Sequence, residues 1–224
     1  MKNAEELLRS SSWGKTLTDE EMTKALAGTT ERSYAPGAFI CMKGEPVEFW
    51  MGIIDGLGKM ASHWTTGKTT SLTGISTGGW FGEGSLLKKE TRKYDVMALR
   101  ESRVAYMNRS TFLWLMDHSI PFNRYLITQL NERLGQFIGM MEHERLLDID
   151  ARLARNLAAM FNPVLYPGTG RELQISQEEI GFLAGLSRQR VNQSLKTLQE
   201  ADLLRLEYGK LIILDLDGLR NYGG

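Results

Sequence analysis

The segment 175–204, ISQEEIGFLAGLSRQRVNQSLKTLQEADLL, constrains the fold most because it has the pattern of two short helices joined by a glycine turn. Ser176 and Glu179 are spaced as a capping box at the start of the first helix. Gly185 supplies the turn, and Ser187 stands where the second helix needs an N-cap. Apolar residues recur every three to four positions and predict one buried face on each helix. These residues are Ile180, Leu183, Ala184, Val191, Leu195 and Leu198.

The opposite face of the second helix is polar and basic, with no acid between Ser187 and Leu198. A short exposed helix with arginines near its N-terminus and amide side chains beyond suits the reading of base edges in a major groove. The alternative is a solvated helical hairpin that packs on a core. The outward residues are Arg188, Gln189, Arg190, Asn192, Gln193 and Lys196.

The residues that follow predict a two-stranded wing. Residues 204–208 alternate between apolar and polar, Gly209 and Lys210 can form a turn, and residues 211–214 suit a short buried strand. A hairpin directly after a recognition helix is typical of a winged helix.

The charge balance restricts how such a domain can bind DNA. The chain has 27 Lys and Arg against 27 Asp and Glu, and from residue 148 onward it has nine against ten. The positive field is therefore local, which predicts weak non-specific binding and a dependence on dimerisation. The neutral charge also keeps open a sensor module whose winged helix mediates protein contacts. The local cations are Arg188, Arg190, Lys196 and Lys210.

Composition excludes several classes of protein. There is no run of eighteen apolar residues and the polar start is not a signal peptide, so we expect a cytoplasmic protein without a membrane partner. Cys41 is the one cysteine, which excludes a disulfide framework and an iron–sulfur cluster held within the chain. We find no nucleophile triad, no metal-binding histidine pair and no phosphate loop, and therefore expect neither an enzyme nor a metal site.

Residues 33–107 predict an antiparallel β-roll. Glycines recur between short runs that are rich in Ile, Phe, Trp, Leu and Thr, which is typical of a sandwich or roll. Residues 65–68 suit a hairpin tip. The predicted strands are 38–42, 49–54, 59–64, 69–75, 96–99 and 103–107.

A long helix is predicted from Pro121 to about residue 147, after a shorter one at 111–116. Its apolar residues are spaced 3, 4, 3, 4 and form a heptad seam with polar flanks. Such a seam favours a parallel helix pair between two subunits, and the alternative is packing on its own domain. The seam is Ile127, Leu130, Leu134, Phe137 and Met141.

With these elements in place, the sequence resembles the Crp/Fnr family of bacterial transcription regulators over nearly its whole length. Residues 78–83 (GGWFGE), 147–152 (LDIDAR) and 175–204 carry the resemblance. It implies an α+β chain with a cyclic-nucleotide-binding-like jelly roll at 1–118, a dimerisation helix at 119–147 and a winged helix-turn-helix at 148–224.

The resemblance implies roles for the recognition helix. Arg188 stands where the family presents an arginine to a guanine. Gln189 replaces a glutamate of the cyclic-AMP receptor and favours adenine, and Gln193 replaces an arginine; Arg190 is a further candidate base contact. A dimer would read a palindrome with half-sites about one helical turn apart. The implied phosphate contacts are Ser176, Gln177, Ser187 and Lys196, with Lys210 on the wing.

The resemblance also tests for a cyclic-nucleotide site. Gly82 and Glu83 stand where the family holds the ribose. The family's Arg-Ser phosphate pair aligns with Lys93 and Tyr94, although a slip of one residue would bring Arg92 into the pocket instead. The adenine-binding Thr-Ser pair aligns with Phe137 and Ile138, so we expect an effector other than cyclic AMP or none.

Other effectors stay open at this point. Haem would need an axial ligand from His63, His118 or His143, which are more typical of solvated or hydrogen-bonded histidines. Cys41 near Lys43 is a candidate redox switch, and a buried inert cysteine is the alternative. A further hypothesis is an organic ligand bound between aromatic side chains, and the alternative is that these side chains form plain core. They are Trp50, Trp64, Trp80, Tyr94 and Phe137. RNA polymerase is the expected partner of the loop 162–170, where the family's activators contact it.

Overall fold

The computed structural model describes residues 3–63, 69–146, 148–207 and 209–223. Its helices are α1 (Ala4–Ser10), α2 (Asp19–Ala27), α3 (Glu83–Lys88), α4 (Arg109–His118), α5 (Ile120–Leu146), α6 (Ile149–Ala159), α7 (Gln177–Ala184), α8 (Arg188–Glu200) and α9 (Leu216–Asn221). Its strands are β1 (Thr29–Tyr34), β2 (Phe39–Cys41), β3 (Phe49–Asp55), β4 (Leu57–His63), β5 (Thr69–Ser76), β6 (Trp80–Phe81), β7 (Asp95–Ala98), β8 (Ser102–Asn108), β9 (Glu172–Gln174), β10 (Leu204–Glu207) and β11 (Lys210–Ile213).

The N-terminal half is the predicted antiparallel β-roll. Two four-stranded sheets, in the orders β1-β8-β3-β6 and β2-β7-β4-β5, contribute buried apolar residues to one cluster. Its members include Met51, Met60, Val96 and Val104. Strand β1 precedes the first predicted strand. It was not predicted from the sequence, because its exposed side chains give no apolar alternation. The predicted hairpin tip at 65–68 lies outside the described residues.

A cluster of aromatic rings joins the N-terminal helices, the roll and α5. Trp50 stacks on Trp80 with ring centroids 4.2 Å apart, and Trp13 lies 5.3 Å from both and from Phe122. Trp50 and Trp80 are therefore buried core residues, which favours plain core packing over the aromatic-pocket hypothesis for them. Trp64 lies outside the described residues.

Helix α5 presents different residues to the roll and to the surface. Phe122, Leu126 and Arg133 are buried on the roll. Phe137 also packs against the roll cluster, whereas Ile138 is 51% exposed. On the helical wheel Phe137 and Ile138 lie on either side of the predicted seam, about equally far from its centre. Exposure favours Ile138 as a seam residue, and the place of Phe137 in the seam stays a prediction. The exposed apolar residues of α5 between 127 and 141 are Ile127, Leu130, Leu134, Ile138 and Met141.

The C-terminal unit is a winged helix, as the sequence predicted. The Ser176–Glu179 capping box is present, Gly185 ends α7 in the left-handed conformation with φ +66°, and Ser187 caps α8. Strand β9 pairs with β11 and extends the wing to the order β10-β11-β9. It has only three residues, too short for a periodic signal. Residue 208 of the predicted wing lies outside the described residues.

The C-terminal unit packs directly against the roll. Arg100 donates two hydrogen bonds to the Glu179 carboxylate, at 2.8 and 2.6 Å. The Ser71 hydroxyl donates to the Phe182 carbonyl at 2.6 Å, and Tyr166 is buried in the roll cluster. The roll and the helix-turn-helix are thus in direct contact within one chain.

In the part of the chain that the structure covers, no helix is both long and apolar enough to cross a bilayer.

Candidate DNA-binding surface and effector site

Helix α8 buries one face and exposes the other along its whole length. Val191, Ser194, Leu195 and Leu198 are buried against the C-terminal core. Among the exposed residues, Asn192 lies between Arg188 and Lys196 on the helical wheel, and the sequence alone assigns it no specific DNA contact. The exposed residues of the helix up to residue 196 are Arg188, Gln189, Asn192, Gln193 and Lys196.

Two predicted DNA contacts are engaged within the chain. Arg190 Nη1 donates to Gln193 Oε1 at 3.0 Å, and its Nη2 lies 3.9 Å from the Asp150 carboxylate. Lys210 Nζ lies 2.6 Å from a Glu172 oxygen. Both cations are partly neutralised, which weakens but does not remove their capacity to contact a DNA phosphate or base. These two ion pairs could not be predicted from local sequence, because each acid lies on a different helix or strand from its cation.

The remaining predicted phosphate contacts lie at the N-terminal ends of α7 and α8 and farther along α8. Ser176 and Ser187 are exposed N-caps whose hydroxyl oxygens accept from Glu179 N and Arg190 N. A capping hydroxyl that accepts from the backbone can still donate its own proton to a phosphate. Gln177, the first residue of α7, is partly exposed, and Lys196 is 78% exposed beside Glu200.

The effector region of the roll contains a buried ion pair. Gly82, with φ +96°, precedes α3, and Glu83 is its first residue. Arg133 on α5 donates from Nε to Glu83 Oε1 at 3.0 Å and also donates to the Trp80 carbonyl. Gln129 donates to the same carbonyl at 2.9 Å. The carboxylate predicted to hold a ribose is thus bound by an arginine of the same chain.

The one-residue slip is present. Arg92, not Lys93, is buried in the roll, and Arg92 Nη2 donates to the Phe49 carbonyl at 3.2 Å. A Cβ on Gly82 would lie 2.9 Å from Arg92 Nη1. Lys93 is exposed and pairs with Glu90, so its placement in the pocket was wrong. Arg92 and Lys93 both lie in the irregular segment before β7, and the path of that segment directs Arg92 rather than Lys93 inward.

Burial sets the protonation of the groups around this pair. Burial and the Glu83 carboxylate raise the pKa of Tyr94 above its usual range, so the phenol stays neutral. Burial disfavours the charge of Arg133, but Glu83 together with Tyr166, Tyr94 and Tyr125 outweighs burial and raises the pKa of the guanidinium. Phe137 packs against the same cluster. Glu83 and Arg133 therefore face a largely apolar interior.

Cys41 is buried, and burial raises the pKa of its thiol to about 11, although Arg92 opposes the rise. We expect iodoacetamide at pH 8 to modify the folded protein about 100-fold more slowly than the urea-unfolded protein, because the reactive thiolate is scarcer. The folded thiol keeps its proton to higher pH, so its contribution to stability is lost as pH rises from about 9 towards 11. Equal rates in both states would contradict this.

Two family profiles match the chain. The cyclic nucleotide-binding domain covers residues 31–119, and the Crp-like helix-turn-helix domain covers residues 151–222. They fall on the roll and on the winged helix. The chain belongs to the Crp/Fnr family of transcription regulators. The resemblance predicted from the sequence is thereby confirmed.

Relatives with curated functions are similar along most of this Crp/Fnr chain. The cAMP-activated global transcriptional regulator CRP of Pasteurella multocida is 29% identical over 175 residues, 76% of this chain and 83% of that protein. The cAMP-activated global transcriptional regulator Vfr of Pseudomonas aeruginosa is 26% identical over 202 residues, 87% of this chain and 94% of that protein. The Crp/Fnr chain is thus a DNA-binding transcription regulator and not an enzyme.

Solved structures show the same fold. FixK2 from Bradyrhizobium japonicum superimposes with a TM-score of 0.71 at 18% identity, covering 88% of this chain and 98% of that one. The catabolite activator protein of Thermus thermophilus gives 0.52 at 24% identity, covering 96% and 98%.

Proposed function

We propose that the protein is a homodimeric, sequence-specific regulator whose recognition helices read a palindromic operator, controlled by a small molecule other than cyclic AMP or active without one. The exposed polar face of α8 carries this proposal. Arg188 and Gln189 stand at its N-terminal end, where the winged-helix geometry directs side chains into a major groove.

The exposed seam of α5 supports the dimer. Five large apolar residues, three or four positions apart, are exposed on a helix whose other side packs on the roll: Ile127, Leu130, Leu134, Ile138 and Met141. A second α5 in parallel would cover the seam and bring two recognition helices to one side of a DNA duplex.

The roll supports an effector other than cyclic AMP. Arg92 supplies a buried cation, but Lys93, next to it, offers no hydroxyl, and the adenine-facing positions hold Phe137 and Ile138. The carboxylate of Glu83 is already engaged by Arg133. A cyclic nucleotide would have to displace this contact while gaining fewer hydrogen bonds than the family's usual site offers.

A contact with RNA polymerase is proposed at the loop after α6. Leu165 and Tyr166 anchor this loop in the roll cluster, and Pro167, Gly168 and Gly170 are exposed. An anchored loop with an exposed tip suits a docking surface. As a DNA-binding regulator the protein would act in the cytoplasm, where bacterial DNA lies.

Substitution of Arg188→Ala is expected to weaken binding to the selected operator by about 1–3 kcal/mol and to relax specificity at one base pair per half-site. Lys196→Ala is the matched comparison. Loss of its phosphate contact should weaken all sequences alike and lower the salt slope by about one. Fluorescence anisotropy with single-base-pair operator variants measures both. Unchanged specificity in the Arg188 variant would contradict the proposed base contact.

Titration with cyclic AMP is expected to give no saturable heat at micromolar concentrations and no change in operator affinity, because the hydroxyl and the adenine-binding pair are missing. Phe137→Thr with Ile138→Ser supplies that pair, and this variant should bind cyclic AMP more tightly than the wild type. Micromolar binding by the wild type would overturn this part of the proposal.

A further inference from the structure

The side of α5 that faces the C-terminal unit borders an unassigned cavity that is open to solvent on one side. Its volume is about 420 Å³, and it lies between α5 and α6. Pockets for small organic ligands start at about 300 Å³. On the helical wheel this side lies about a third of a turn from both the roll-facing residues and the exposed seam. A ligand in it would therefore be compatible with a dimer.

Two glycines on α5 keep the cavity open. Gly135 and Gly139 are one turn apart and line it, opposite Ala159 of α6. A Cβ built on Gly135 meets no heavy atom within 4 Å. A larger side chain at Gly135 would extend into open space without disturbing the packing.

The charged residues of the cavity favour an anion. Arg155 on α6 and Arg220 on α9 line it, against one acid, Glu132. The Glu132 carboxylate accepts from Asn162 Nδ2 at 2.9 Å. Arg155 donates to the Tyr222 carbonyl at 3.4 Å, and Arg220 to Asp217 at 2.9 Å. A guanidinium has five N–H donors, so the bond to Asp217 leaves Arg220 donors for a ligand oxygen.

We propose that the cavity binds a small organic anion, a carboxylate or phosphate monoester, with its charged group on Arg155 and Arg220. Its apolar body would lie against Gly135, Gly139 and Ala159. Such a ligand would contact the dimerisation helix and the winged helix at once and would bias their relative orientation. This regulatory consequence, but not the binding itself, rests on the proposed function.

The test uses 1-naphthoate and 1-naphthyl phosphate, which share a body and differ in the charged group. Calorimetry on the full-length protein without DNA should show saturable binding of at least one. Gly135→Leu fills the cavity and should weaken binding at least tenfold, and Arg220→Gln should weaken it about tenfold. Arg9→Gln is the matched control, because Arg9 is also an exposed helical arginine with an acidic partner, and it should bind like the wild type.

The pattern of affinities decides the proposal. The tighter probe identifies the preferred charged group. No binding of either probe at millimolar concentration, or wild-type affinity in both cavity variants, would overturn the site. If Gly135→Leu does not fold, Arg220→Gln and its control decide alone. Because binding is measured without DNA, failure here leaves operator binding untouched, and failure to bind an operator leaves the site intact.

Discussion

Replacing Leu134→Glu together with Ile138→Glu is expected to convert the dimer to monomers and to lower operator affinity about 100-fold or more. Both side chains are more than half exposed in the single chain, at 58% and 51%, so the introduced carboxylates should lower the stability of the single chain little. In a parallel pair they would place four carboxylates in a desolvated seam. Loss of the second half-site then removes the gain from bivalent binding.

Sedimentation equilibrium and operator titration at equal protomer concentration measure the two effects. Thr128→Glu is the matched control, since Thr128 is exposed on α5 about a third of a turn from the seam, and this variant should stay dimeric. A double variant that remains a dimer and keeps its affinity would show that the subunits meet elsewhere.

Replacing Arg133→Met is expected to destabilise the fold by about 3–5 kcal/mol, because it leaves the Glu83 carboxylate buried without its charge partner. Glu83 is 3% exposed, and its second oxygen has no hydrogen-bond partner within the described residues. The Trp80 carbonyl also loses one of its donors. Urea unfolding at fixed protomer concentration measures the change, since a dimer's stability depends on concentration.

The double variant Glu83→Leu with Arg133→Met separates the charge from the packing. Removing both charges should recover at least half of the lost stability, because no ion then stays buried alone. A loss below about 1 kcal/mol in Arg133→Met, or no recovery in the double variant, would show that the pair does not hold α5 on the roll.

Local sequence rules predicted the winged helix well. The capping box at Ser176, the left-handed Gly185 and the N-cap Ser187 each depend on neighbours within four residues, and each is present. The strands of the roll were predicted to within a few residues where glycines separate them. The short strands β6 and β9 were missed because two or three residues carry no period.

Contacts between distant residues could not be predicted in the same way. Arg133 lies fifty residues from Glu83, and nothing near Arg133 in the sequence marks it as an ion-pair partner. The choice between Arg92 and Lys93 depends on the path of the irregular segment before β7, where no periodic pattern applies. The sequence position of Arg190 suggests a base contact. Its approach to Asp150 on another helix could not be predicted from neighbouring residues.

Genomic selection of DNA bound by the purified, ligand-free protein tests the central claim most directly. The account predicts recovery of a palindrome with half-sites about one helical turn apart and a guanine opposite Arg188. At the base pair read by Gln189 it predicts a departure from the cyclic-AMP receptor's site, because the amide favours adenine. Recovery of no specific sequence, both without ligand and with the small organic anions, would contradict a sequence-specific regulator.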